Sequence, residues 1–595
     1  MTGAREILAA IRNGLHWLSF DNSFYNLSLG GPAVKELTAV PQDAWPGRAE
    51  YGTRILEGWL TGGGQTLKLS GSPLSERFWY PADATPAWFQ ALHGFEWLRD
   101  LRTLGGDDAR RVTRFLVIGW LDWHAQWSDA TWAPAILATR TANWIGAHDF
   151  FWASADEGLR GCLLDSLGRQ TRHLMRVAAV DPGSDDALTV AKGLVFGSLA
   201  LVDGRRCRDL GVRLMVRALG AQFGADGGHV TRNPMLQLNG LRHLVDIRNG
   251  LRCVKAEIPE PLTAAVITAA QMLRMVRHAD GGLAVFNGGG EAVPAAVELV
   301  LSRADVRVKP LRSAPHWRYE RLVGGRSVLI VDGGAPASTG HDQTAHAGTL
   351  AFEFSVGKER LIVNCGPPPA AQPALRAAFA ATAAHSTLVI DDTNSSEVRP
   401  EGGIGGRHPS EVTVDRGESR EGSQIIATHA GYALTRGFLH RRTLWLSDQG
   451  DEVRGEDRLE PAMGATPTAR PLAIRFHLHP LVTAGLIEDG DGAGAGAGTG
   501  TGAGTGTGTG VGLGSGPEAG AAGKARNVGA VLLKPSAGPA WRLAAESGTL
   551  TLEESIYSGG DDEPVPTRQI VISAVAPPAG AAIRWSLRRL VPTTG

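Results

Sequence analysis

The apolar residues of this chain change their period once, near residue 304. That change limits the chain to a helical unit followed by a β-sheet unit. From about Ala87 to Val276 the spacing is mostly helical. In the stretch 107–127, Val112, Phe115, Leu116, Ile118, Trp120 and Trp123 cover one broad face, and Arg110, Arg111 and Arg114 lie largely opposite. Similar patterns recur along the region, separated by short connectors such as AVDPGSD and VDGRR. Helices of roughly 15–20 residues on short loops imply successive antiparallel hairpins. Wrapped round, such hairpins give an α/α toroid, whose central cleft is a natural ligand site. After about Ala304 the runs RSVLIVDGG, GTLAFEFSVG, ERLIVNCG, HSTLVIDD and RRTLWLSD are short and β-rich, and Gly, Pro, Asp and Asn punctuate them. The expectation is a multidomain α+β chain: an α/α toroid over 1–304, then an antiparallel, sandwich-like β domain over 305–595.

Tryptophan sharpens the division. Twelve of the 16 lie at or before Trp152, so the two halves have different cores. Most of the early ones fall at helical spacing, which favours packing over sugar stacking. Residues 490–516 alternate glycine with mostly Ala and Thr; such a tract buries little and is expected to be a loop inserted between two strands.

The net charge of −1 gives no basis for nucleic-acid or membrane-surface binding. The four cysteines are scattered with no CxxC pair, which argues against a disulfide framework or a cysteine-based zinc module. No window reaches the roughly 18 apolar residues of a membrane span. The N-terminus reads as a short amphipathic helix without a signal-peptide apolar core, so a cytoplasmic location is expected, or a periplasmic one if the true start lies upstream.

Four segments, in order, resemble the heparinase II/III family of polysaccharide lyases, including related alginate lyases. They are SDDALTVAKGLVFGSL, FGADGGHVTRNPMLQLNGLRHLVDIR, AHAGTLAFEFSVGKERLIVNCG and TAAHSTLVIDD. The resemblance implies β-elimination next to a uronic acid: the carboxylate is neutralised, a Tyr or His removes the C5 proton, and a Tyr protonates the leaving oxygen. It also implies where those groups stand. The family's Asn-His pair falls on Asp185 and Asp186, its tyrosine on Leu236 and the following His on Gln237. Thr344 takes the place of a histidine found in alginate-lyase relatives. His346 and His385 match two zinc-site histidines, and Asn364 stands where the family has a zinc-binding Asp.

The catalytic candidates are therefore His346, Asp185, Asp186 and Gln237. The substrate-binding candidates are Arg232, Asn233, His229 and Asn239, and a structural zinc would be held by His346, Asn364 and His385. Asp185 and Asp186 follow Ser184 at a helix start, where capping and the helix dipole explain them equally well. The expected partner is a polysaccharide or oligosaccharide, and three readings stay open. One is a lyase-type enzyme acting on a uronate-containing polysaccharide. The others are a non-catalytic glycan-binding or envelope-assembly protein, and a glycoside hydrolase using Asp185 and Asp186.

Overall fold

The computed structural model describes residues 20–32, 34–369, 372–488, 528–560 and 563–590. The N-terminal residues expected to form an amphipathic helix lie largely outside them, and the 490–516 tract lies wholly outside. The strands flanking that tract, Thr483–Glu488 and Val528–Lys534, pair antiparallel.

The first half is helical up to the helix Pro294–Ala304. Its helices start for readable reasons. In Glu157–Val177 the Asp156 side chain accepts the Leu159 N–H at 2.9 Å, and Leu159, Leu163, Leu167 and Leu174 are buried at helical spacing. Helix Asp186–Gly197 is buried nearly all round and packs against Pro134–Gly146, Arg205–Gln222 and Pro234–Cys253. A helix enclosed on nearly every side belongs to the inner part of a bundle, which explains why DALTVAKGLVFG is mostly apolar, with Thr189 and Lys192 its polar residues beyond Asp186. Trp79, Trp88, Trp120, Trp132, Trp144 and Trp152 are fully buried, so the tryptophan-rich start of the chain is core. One element departs from the helical expectation: Trp59–Gly62 and Gln65–Lys68 form a two-stranded hairpin.

Strands begin at Tyr319 and build two eight-stranded antiparallel sheets packed face to face. Their inner faces carry Phe352, Phe476, Trp541 and Trp585, and the Phe352 and Trp585 rings stack at 5.8 Å. Alternation in Phe438–Ser447, buried at every second residue up to its end, is the sequence signature of that packing. The fold is thus a helical toroid followed by a β-sandwich. The helical core continues without a break onto Trp317, Tyr319, Val328 and Ile330, so the two units share one apolar surface.

Candidate functional site: the crevice between toroid and sandwich

Two adjoining hollows of about 720 and 910 Å³ follow the seam between the two units. The larger is lined by Asp185, Asp186, Arg217, Leu236, His341 and Thr344, among others. The smaller is lined by His229, Arg232, Trp317, Arg318, Glu411 and Asp415, among others. His341 ties them together, since it couples electrostatically to both Asp185 and His229. The crevice therefore gathers the adjacent pair Asp185 and Asp186 with Leu236 and Thr344, from three segments that lie far apart in the chain.

Asp185 and Asp186 open helix Asp186–Gly197. The capping role does not hold for Asp185: it occupies the N-cap position, yet its side chain makes no capping hydrogen bond. Burial raises the pKa of both carboxyls; His341 opposes the rise at Asp185, while Asp185 adds to it at Asp186. Both groups therefore hold their protons more readily than surface aspartates do.

The segment DGGHVTRNP reaches the crevice through tight backbone turns. Gly227 has φ +87°, and a Cβ on Gly228 would stand 2.2 Å from the Trp317 side chain, so only glycine lets Trp317 close over this loop. Most of the candidates that follow prove to be supports. Gln237 is fully buried: its amide Nε2 donates to the Gly227 and Ala269 carbonyls, and Oε1 accepts the His229 N–H. It has no donor left for a substrate, which corrects its assignment as catalytic. Arg232, at φ +59°, donates to the carbonyls of Trp317, Ala335 and Arg318 and pairs with buried Asp332. Its guanidinium is spent on the domain seam rather than on a ligand. Asn233 caps helix Pro234–Cys253 by accepting the Met235 and Leu236 N–H groups, and its amide donates to the Asn287 carbonyl. His229 is buried against Thr231 at 2.8 Å, and burial lowers its pKa to about 4. Asn239, one turn beyond Leu236, is exposed and makes no hydrogen bond among the described residues.

His346 and His385 lie side by side and buried, with His346 Nδ1 3.1 Å from His385 Nε2. The tautomers follow from the partners. His385 Nδ1 faces the Ala381 carbonyl at 2.8 Å and must carry the proton, so Nε2 accepts and His346 Nδ1–H donates. Burial lowers both pKa values, that of His385 to about 4, and both rings are neutral near pH 7. His346 Nε2 is left with a free lone pair.

A zinc ion does not fit these three residues as they are arranged. The histidines spend their facing nitrogens on each other. Asn364 donates to the Val285 carbonyl and the Glu353 carboxylate, and its Oδ1 accepts the Ser386 N–H at 3.0 Å. Among the described residues no group of three or more His, Cys, Asp or Glu side chains is placed to hold a metal. His346→Ala is expected to leave buried His385 Nε2 without a donor and to cost about 1–3 kcal/mol in denaturant unfolding. A chelator should leave wild-type melting unchanged; a lowered melting temperature would restore the metal. Because both folded pKa values lie below the unfolded value, the unfolded chain takes up protons first. Stability should therefore fall as the pH drops from about 6.5 toward 4.

A family model described as Heparinase II/III-like, C-terminal, matches residues 306–586. FtsZ-localized protein C of Caulobacter vibrioides is 31% identical over 488 residues, covering 79% of this chain and 82% of that protein. A heparan sulfate lyase structure from Pedobacter heparinus aligns with a TM-score of 0.59 at 13% identity, over 96% of this chain and 88% of its own. A heparinase III structure aligns with a TM-score of 0.69 at 11% identity, over 95% and 90%. At those identities the two structures speak for the fold alone.

Proposed function

Because this chain belongs to the heparinase II/III-like family, we propose that it is a glycan-binding protein whose crevice holds a polysaccharide without cleaving it by tyrosine-assisted elimination. It has the polysaccharide-lyase-like fold, and the crevice offers two hollows of about 720 and 910 Å³ with many polar lining groups, as a sugar chain needs. One observation carries the reading: none of the six tyrosines lines either hollow. Tyr25, Tyr51 and Tyr80 belong to the helical half. The Tyr319 hydroxyl donates to the Arg232 carbonyl, that of Tyr432 to the Leu388 carbonyl and that of Tyr557 to Glu291. Leu236 brings an apolar side chain to the place where the resemblance sets the tyrosine. Elimination needs a proton donor for the leaving oxygen, and leucine has none. The Caulobacter relative is named for its localization with FtsZ, which supports a place beside FtsZ for this chain as well.

A second reading, glycoside hydrolysis, is favoured by the two crevice carboxyls whose pKa values are raised, as a general acid requires. A third is an elimination on a uronate polysaccharide with His346 Nε2 as base. The test is incubation with a panel of uronate and neutral polysaccharides. Saturable binding is expected, with no rise in the ultraviolet absorbance of a C4–C5 double bond and no new reducing ends. Absorbance growth would overturn the reading in favour of a lyase, and reducing ends without absorbance in favour of a hydrolase.

A further inference from the structure

Below the crevice the helical unit encloses a second polar region. Helices Pro134–Gly146, Asp186–Gly197 and Pro234–Cys253 end against the segment 38–48. Thr38 N–H donates to the Leu199 carbonyl, Asn249 to the Gln42 carbonyl, and Arg102 bridges the Gly146 carbonyl to Asp43. That segment closes the end of the toroid opposite the crevice, with Trp45 as its inward plug. The Trp45 indole N–H donates to Asp246 at 2.7 Å, and Arg102 holds the Trp45 carbonyl.

One face of helix Pro234–Cys253 runs from the crevice to this plug at helical spacing: Leu236, Asn239, then Arg242 and His243, then Asp246. Thr189 and Lys192 descend in the same direction on helix Asp186–Gly197, and Thr189 meets His243 at 3.4 Å. Solvent reaches Arg99, Arg242, His243 and Asp246, although each lies deep among the helices.

Cations dominate here. Arg99 and Arg102 share Asp43, and Lys192 sits 3.5 Å from Asp246. Arg242 has neither a hydrogen bond nor an ion pair among the described residues; its guanidinium carbon stands over the Trp45 ring, 4.9 Å from the centroid. The Nδ1 atom of His243 is buried and has no partner. A planar, oriented guanidinium with free N–H donors, next to an ammonium and an unsatisfied imidazole nitrogen, is the chemistry that receives an oxyanion. Burial and the neighbouring Arg99 weaken the hold of Arg242 on its proton, and a bound anion would relieve that.

We propose that this well, built on Arg242, Lys192 and His243 and floored by Trp45, binds an oxyanion: a carboxylate, sulfate or phosphate, carried by the glycan in the crevice or free in solution. The proposal rests on the glycan-binding reading only for the source of that group. Calorimetry on the full chain with inorganic phosphate, a short alginate oligosaccharide and its carboxyl-reduced counterpart tests it. Wild type should bind phosphate, and should bind the uronate form about tenfold or more tighter than the reduced form. Arg242→Gln should lose phosphate binding and the preference, while keeping its affinity for the reduced sugar. Phosphate binding without either oligosaccharide would keep the well and overturn the glycan reading. Equal binding of both oligosaccharides without phosphate binding would keep the glycan reading and overturn the well. If Arg242→Gln does not fold, the wild type decides: phosphate must raise the melting temperature above chloride at equal ionic strength, and failure to do so overturns the proposal.

Discussion

Arg442→Met is expected to cost the β-sandwich about 3–5 kcal/mol, because it strands a fully buried carboxylate. Arg442 donates to both oxygens of Asp457, at 2.7 and 3.1 Å, and to the carbonyls of Leu350 and Ser386. His440 and the Trp585 indole complete the shell around Asp457. Despite burial, this shell holds the Asp457 pKa well below the usual carboxylate range. The sign of the pH effect follows. In the wild type the folded pKa is depressed, so the contribution of Asp457 is present above pH about 4 and is lost as the pH falls. Without Arg442 burial dominates, the folded pKa rises above the unfolded one, and the contribution is lost instead as the pH rises. Unfolding at several pH values should therefore show the gap between wild type and variant narrowing toward acid. A gap that widens toward acid would mean that Asp457 is held ionised by something other than Arg442.

That network also shows what a sequence conceals. The alternation of Phe438–Ser447 marks a half-buried strand, and HRR at 440–442 reads from the sequence either as charge on a strand edge or as a group that meets an anionic sugar. The strand lies instead between Gly422–His429 and Glu452–Pro461, and two of the three side chains turn inward to a carboxylate on the next strand. The period of apolar residues reports burial by apolar residues only; a buried ion pair looks like surface until its partner is known. The toroid was legible because its helices repeat one pattern. The hairpin at 59–68 was not, since four-residue strands leave too short a period.

The crevice was half legible for a related reason. Asp185, Asp186, Leu236 and Thr344 could be aligned because each sits in a segment with a resemblance to follow. Arg217 lies on the helix Arg205–Gln222 and His341 in a loop, and neither position carries a periodic or spacing signal. Gln237 and Asn364 were drawn toward function by their place in the resemblance, and Asn233 by its polarity beside them. Besides the local cap that Asn233 makes, they reach backbone groups from 8 to 79 residues away, at separations no local pattern encodes. Buried amides of this kind satisfy backbone groups that irregular loops leave unpaired. Their dense use here reflects the bent course of residues 224–237 and 283–291 where the toroid meets the sandwich.

Arg232 is the hinge-pin of that meeting, and its removal has the second large expected effect. Arg232→Met takes hydrogen bonds from three carbonyls of the segment 317–335 at once and leaves Asp332 buried beside Asn287 alone among side chains. Burial already pushes the Asp332 carboxyl up even with the guanidinium against it, so the variant should carry it protonated at neutral pH. A loss of about 3–5 kcal/mol is expected. Removing both partners, in Arg232→Met with Asp332→Leu, should return much of it, since no charge is then left stranded. Glycan affinity provides the decisive comparison. If Arg232 acts by holding toroid and sandwich together, affinity should fall in the single variant and recover with stability in the double one. Affinity that stays lost after stability has returned would show the guanidinium touching the ligand itself, and the seam would then belong to the binding surface.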